Sequence, residues 1–178
     1  MFWAHRRGTA VIDYGPFRVR EGSTDLAEFA GVFNDHDPGR LERWLVSVTD
    51  VVDVGAGAGA FSLLALEVAA RAGTQVKVIA VEPDPDDLQF LGSQPFASSL
   101  KLLHTSTVTQ GGEVPTLLRL NMDGGELELL QAGLPKHIRC LFLRWNHTGS
   151  PRDLLPNGFV KLIARDPSGA TNWAWERS

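Results

Sequence analysis

A single cysteine, Cys140, cannot close a disulfide within the chain, so a reducing compartment fits. No apolar run reaches the ~20 residues that a membrane span needs. The longest greasy helical stretch, Phe61 to Ala70, already contains Glu67. The opening Met1-Phe2-Trp3-Ala4-His5-Arg6-Arg7 lacks the apolar core of a secretion signal. An excess of basic charge is missing too. With 17 Lys and Arg against 21 Asp and Glu, the net charge of −4 offers no footprint for nucleic-acid phosphates. Nor is there a Cys/His cluster with metal-ligand spacing, a Gly-x-Ser-x-Gly elbow or a Walker-type loop. The expectation is a soluble, cytoplasmic protein with no metal and no membrane or nucleic-acid partner.

What is there is the composition of a globular protein, 43% hydrophobic and 21% charged over 178 residues. That length predicts one domain over residues 1–178, with an extension over 1–45 ahead of a core over 46–178. In the extension, Thr9–Ile12 and Phe17–Val19 flank Tyr14-Gly15-Pro16 and read as a hairpin. Asp25 with Glu28 makes a capping-box pattern, so a helix is expected to begin there. A polar break, Asn34 to Gly39, precedes a short amphipathic stretch over Leu41–Val46.

From Val51 onward, strand and helix patterns alternate. Predicted strands cover Val51–Val54, Val76–Val81, Leu100–His104, Leu117–Leu120 and Ile138–Trp145. Predicted helices cover Phe61–Ala72, Pro85–Leu91 and Gly124–Ala132, and Phe159–Ala164 with Thr171–Trp175 would close the sheet as a hairpin. Such alternation predicts a three-layer α/β fold whose mostly parallel sheet is covered on both faces.

The junction Asp53-Val54-Gly55-Ala56-Gly57-Ala58-Gly59-Ala60 holds the most chemical information. Glycines between a strand and a helix permit a tight turn and let a ligand approach the backbone beside the helix N-terminus. Gly55, Gly57 and Ala60 also satisfy the dinucleotide pattern G-x-G-x-x-G/A. Asp53 argues against a pyrophosphate there, because like charges repel, and for a ligand with an ammonium group. Glu82, at the end of the next strand and followed by Pro83-Asp84, suits a ribose through its two hydroxyls.

Three segments carry a resemblance to a known family. They are Asp53-Val54-Gly55-Ala56 running to Phe61-Ser62-Leu63, then Val81 to Pro85, then Leu118 to Leu130 with its Gly-Gly-Glu-Leu-Glu ending. Together they resemble the FkbM-like family of S-adenosylmethionine (SAM)-dependent methyltransferases, across roughly Thr24 to Trp175. The resemblance implies a Rossmann-like methyltransferase sheet of seven strands, SAM as cofactor, and an oxygen acceptor on a small molecule or sugar. On that basis Gly55, Ala56, Gly57, Gly59, Glu82, Pro83 and Asp84 would line the cofactor, with Asp53 facing its methionine end.

The resemblance has departures. Where the family has acids after its fourth and fifth strands, this chain has Asn121 and Arg144, and Arg119 replaces a lysine. Asn121 can orient a hydroxyl but cannot act as a base at neutral pH. Asp123 and His147 are therefore the candidate bases, Asp123 doubling as a possible helix cap and Arg144 as a partner for an anionic acceptor, Asp153 or Glu126. His36, between Asp35 and Asp37, stands in a loop that could cover the cofactor. Two readings stay open: an O-methyltransferase, and a catalytically degenerate relative serving as a binding or accessory subunit. An NAD-linked oxidoreductase is a third, which Asp53 opposes.

Overall fold

A computed structural model describes residues 10–106, 113–122, 124–145, 147, 151–155, 159–163 and 171–177. A short hairpin, β1 (Val11–Tyr14) and β2 (Phe17–Arg20), is followed by two helices, α1 (Asp25–Asp35) and α2 (Pro38–Ser47). Then come β3 (Asp50–Val54), α3 (Ala60–Ala72), β4 (Lys77–Val81), α4 (Pro85–Gly92), β5 (Leu100–Leu103), β6 (Thr116–Leu120), α5 (Glu126–Ala132), β7 (Ile138–Trp145), β8 (Phe159–Ile163) and β9 (Thr171–Arg177).

The seven-stranded sheet has the order β5-β4-β3-β6-β7-β9-β8. Strands β5 through β7 run parallel, and β9 pairs antiparallel with both β7 and β8. This is the α/β architecture the alternation predicts, with its C-terminal antiparallel pair. From β3 the chain goes outward to β4 and β5, then returns to the other side of β3 as β6. That reversal makes the C-terminal ends of β3 and β6 the topological switch point, the place where open α/β sheets hold ligands.

Strand periodicity sorts the core into two layers. Val51, Val78, Leu117, Cys140 and Phe142 pack with α1, α2 and α3 through Val32, Trp44, Phe61 and Leu64. Val52, Val54, Ile79, Leu118, Leu141 and Trp175 pack on the other face with Leu130 of α5. Helix α3 is buried nearly all round because α1 and α2 cover its outer side, and Gly73 ends it in the left-handed region (φ +66°). Cys140 lies inside, and burial pushes its thiol up to about 12, so it is no nucleophile at neutral pH.

Polar contacts fix the hairpin against the sheet domain. Gln94 exchanges two hydrogen bonds with the backbone of Arg18, both 2.9 Å, as a neighbouring strand would. Arg20 donates to Asp25 at 2.8 and 2.9 Å, reaches Asp87 of α4, and lies over Phe90. Burial opposes ionisation of Asp25, but the hydrogen bonds from Arg20 outweigh it and hold the carboxyl below its ordinary value. The capping expectation shifts by one residue. Thr24 is the N-cap and its hydroxyl donates to Glu28, while Asp25 is spent on Arg20. The polar break also proves shorter than its composition suggests. Asp37 caps α2, accepting from the amides of Gly39 and Arg40, with Pro38 in the first helical position.

Candidate cofactor and acceptor site

The glycine turn between β3 and α3 lies at this switch point. Its three glycines all have positive φ: +71° at Gly55, +54° at Gly57 and +88° at Gly59. At Gly55 the requirement is steric as well, since a Cβ there would lie 1.8 Å from the carbonyl oxygen of Asn121. The loops after β3 and β6 are thus in backbone contact at the switch point.

Glu82 is 5% exposed at the end of β4. Its Oε2 accepts from the Gly57 amide at 2.7 Å and its Oε1 from the Asp84 amide at 2.9 Å. Burial raises its pKa, and the two amide bonds offset only part of that rise. Pro83 follows, and the Asp84 side chain caps α4 by accepting from Asp86 and Asp87. Among the residues expected to line a cofactor, Gly57, Glu82 and Asp84 are directly linked.

Asp53 stands elsewhere than the ammonium argument requires. It is fully buried on the α3 side of the sheet. Its Oδ2 accepts from the Ser62 hydroxyl at 2.8 Å, and its Oδ1 from Arg119 at 2.8 Å. The same Arg119 nitrogen donates to the Gly55 carbonyl at 3.1 Å. A carboxylate already matched by a guanidinium has little attraction left for a second cation. The pair follows from register, because Asp53 and Arg119 are Cα partners on β3 and β6 and their side chains share one face. Asp53 therefore braces the turn from beneath, through Arg119.

At the ends of β6 and β7 the candidates separate. Asp123 lies outside the described residues. Asn121 follows β6 at the switch point, and its Oδ1 is buried with no hydrogen-bond partner among the described residues. The His147 ring lies 4.7 Å from that of Trp145 and tilted to it, and its buried Nε2, with no hydrogen bond among the described residues, lies 3.5 Å from Glu126 Oε2. Glu126 is itself fully buried and accepts from the amides of Met122 (2.7 Å) and Gly124 (2.9 Å). That carboxylate shapes the β6–α5 loop and is not paired with Arg144, which is exposed. Orphaned buried polar atoms are uncommon, and Asn121 Oδ1 at the end of β6 marks a place where a polar ligand would be satisfied.

His36 packs inward at the end of α1, its ring 5.1 Å from Phe61 and 4.7 Å from Phe142, with Nδ1 donating to the Val32 carbonyl. Burial lowers its pKa to about 4. The unfolded chain takes up that proton near pH ~6.5, the folded one only near 4, so stability falls as pH drops through this window. Across that window the loss amounts to as much as about 3 kcal/mol. Urea unfolding between pH 7 and pH 4 should show this acid limb in the wild type and a flatter one in His36→Phe. Equal slopes would rule out the buried neutral imidazole. Asp25, with its lowered pKa, adds its own loss at still lower pH.

Two contributors were not singled out from sequence: Glu126 as a loop organiser, and Arg119 as the partner of Asp53. A signal for the second existed, since an acid and a base each interrupt an otherwise apolar strand. Clefts lined by Glu113, Pro115, Lys136, His137 and Arg139 open at the opposite end of the strands, away from these residues.

No protein-family model matches the chain, and no curated protein matches it. Solved structures do. The ribosomal protein L11 methylase of Lactobacillus delbrueckii subsp. bulgaricus superposes with a TM-score of 0.64 at 16% identity, over 94% of this chain and 90% of that one. The precorrin-6y C5,15-methyltransferase of Geobacter metallireducens GS-15 gives 0.54 at 13% identity, over 79% and 87%. TrmN from Thermus thermophilus gives 0.56 at 17% identity over 90% of this chain, which spans 55% of that protein's length. At such identities the shared property is the fold, the Rossmann-like fold of methyltransferases. Among the described residues, no helix is long and apolar enough to cross a membrane.

Proposed function

We propose that the protein is a SAM-dependent methyltransferase, resembling the FkbM-like family, that methylates a hydroxyl on a small molecule or sugar. The observation that supports it most is the bond between Glu82 and the Gly57 amide. It puts a strand-end carboxylate against the glycine turn at the switch point, where an adenosine ribose can bridge the two. The turn fits such a ligand because Gly55, Ala56, Gly57 and Gly59 present backbone rather than side chains. Glu82 would accept from the ribose hydroxyls, with Pro83 and Asp84 as the rim beyond it. Bound there, SAM would supply an electrophilic methyl group on a sulfonium, a good leaving group.

The chain's own residues then have limited work. Asn121 would orient the acceptor oxygen by donating to it from its amide nitrogen, leaving the hydroxyl proton for His147 or Asp123 to take as the oxygen becomes bonded to carbon. The net charge of −4 opposes a polyanionic acceptor and supports a small neutral one. The second reading, a binding or accessory protein without turnover, draws support from Asn121, an amide where an acid would serve as base.

Methyl transfer from radiolabelled SAM to a panel of hydroxylated metabolites and sugars, with a short RNA alongside, tests the proposal. Label in a hydroxylated small molecule is the expected result. Label in the RNA alone would contradict it, and SAM binding without any transfer would leave the accessory reading. Asn121→Asp is expected to raise the transfer rate if the missing carboxylate limits it. Cofactor affinity should also weaken on acidification at a pH above the ordinary carboxylate range, since protonation removes an acceptor from Glu82. A titration from pH 8 to pH 5 checks this against Glu82→Gln, which should show no such loss.

A further inference from the structure

Neutralisation of Asp53 leaves the amino-acid end of the cofactor without its expected anion, and the structure offers another. Glu28, on the exposed side of α1, directs its Oε2 to within 3.4 Å of the point a Cβ on Gly57 would occupy. Its Oε1 accepts from Thr24 at 2.9 Å, which holds the side chain along the helix, while Oε2 accepts no hydrogen bond from the described residues. Gly57 is therefore flanked by two carboxylates: Glu82 on its amide, and Glu28 at its Cα.

We infer that Glu28 binds the ammonium group of the cofactor's amino-acid tail, so that α1 supplies the cationic-end recognition and β4 the ribose recognition. This rests on the methyltransferase reading above. Three considerations support the assignment. An exposed carboxylate retains its attraction for a cation, whereas Asp53 has a guanidinium and a hydroxyl on it already. The gap beside Gly57 exists because the residue has no side chain, and the Oε2 atom borders it directly. The helix is also positioned by more than its own packing. Arg20 ties Asp25, in the first turn of α1, to Asp87 of α4, so the carboxylate and the strand-end acid are held in one frame.

The inference has a consequence that separates it from a general loss of site integrity. A ligand without the amino-acid tail should not sense Glu28. Calorimetry with S-adenosylhomocysteine and with 5′-methylthioadenosine, on wild type, Glu28→Gln and Glu82→Ala, reads this out. Glutamine keeps the acceptor for Thr24 and the length of the side chain, so melting curves should coincide with wild type. Glu28→Gln is expected to weaken S-adenosylhomocysteine about ten-fold, the scale of a charge-assisted hydrogen bond, and to change 5′-methylthioadenosine less than about two-fold. Glu82→Ala is expected to weaken both. Unchanged S-adenosylhomocysteine affinity in Glu28→Gln, with Glu82→Ala still damaging, would overturn the role of Glu28 and leave the cofactor site standing. Equal weakening of both ligands by Glu28→Gln would overturn it as well, and binding of neither by folded wild type would remove the methyltransferase reading itself.

Discussion

Replacement of Arg119 by leucine should destabilise the protein by about 3–5 kcal/mol, lowering its melting temperature by roughly 10 °C. Asp53 is fully buried and would keep only the Ser62 hydroxyl as a partner. Arg119→Leu would also release the Gly55 carbonyl, so the glycine turn loses a support as well as the strand pair a charge. Restoring the balance by removing the other charge tests the mechanism. The double variant Asp53→Leu/Arg119→Leu should recover much of the loss, because two apolar groups of similar size leave no buried ion behind. Equilibrium urea unfolding of the single and double variants measures both quantities. A loss under about 1 kcal/mol for Arg119→Leu would show that the pair does little for the fold.

Gly55→Ala has the second large expected effect. The new methyl would stand 1.8 Å from the Asn121 carbonyl oxygen, a backbone atom that cannot swing away, and φ at Gly55 is +71°. Relief requires the loops after β3 and β6 to part, which disrupts the switch point and the turn together. The expected cost exceeds about 4 kcal/mol, with cofactor binding abolished. Gly73→Ala is the control. It has nearly the same φ, +66°, yet nothing lies within 4 Å of its would-be Cβ. That variant should lose only the ~1–2 kcal/mol of a left-handed alanine. Similar losses for both would mean that backbone conformation, not the contact with Asn121, sets the requirement at Gly55.

The sheet was legible because its strands are apolar runs bounded by turn residues, and such runs have few alternatives. Ile138–Trp145 matches its observed bounds, and Gly73 ends α3 as a left-handed cap. The cap of α1 was less legible. Asp25 resembled a cap, but its side chain has a partner five residues upstream in Arg20, and Thr24 took the capping position. A capping pattern is read from the helix's own first turn, whereas the bond that diverts Asp25 comes from Arg20 on the strand before it.

The site divides along the same line. Glu82 and the glycines stood out in the sequence because their conformation depends on neighbours close in sequence or on backbone freedom. Asp53 could not be placed, since its direction depends on Arg119, 66 residues away and adjacent only through strand register. A charge inside an apolar strand signals a partner without naming it. Glu28 was invisible for the opposite reason. It is an exposed helical acid like many others, and only the packing of α1 over the glycine turn distinguishes it.

Calorimetric titration of the wild-type protein with S-adenosylhomocysteine, alongside NADH, tests the central claim most directly. Uptake of S-adenosylhomocysteine at one site per chain, lost in Glu82→Ala while NADH gives no heat, is the result this account requires. Binding of NADH by the folded protein without any S-adenosylhomocysteine binding would contradict it.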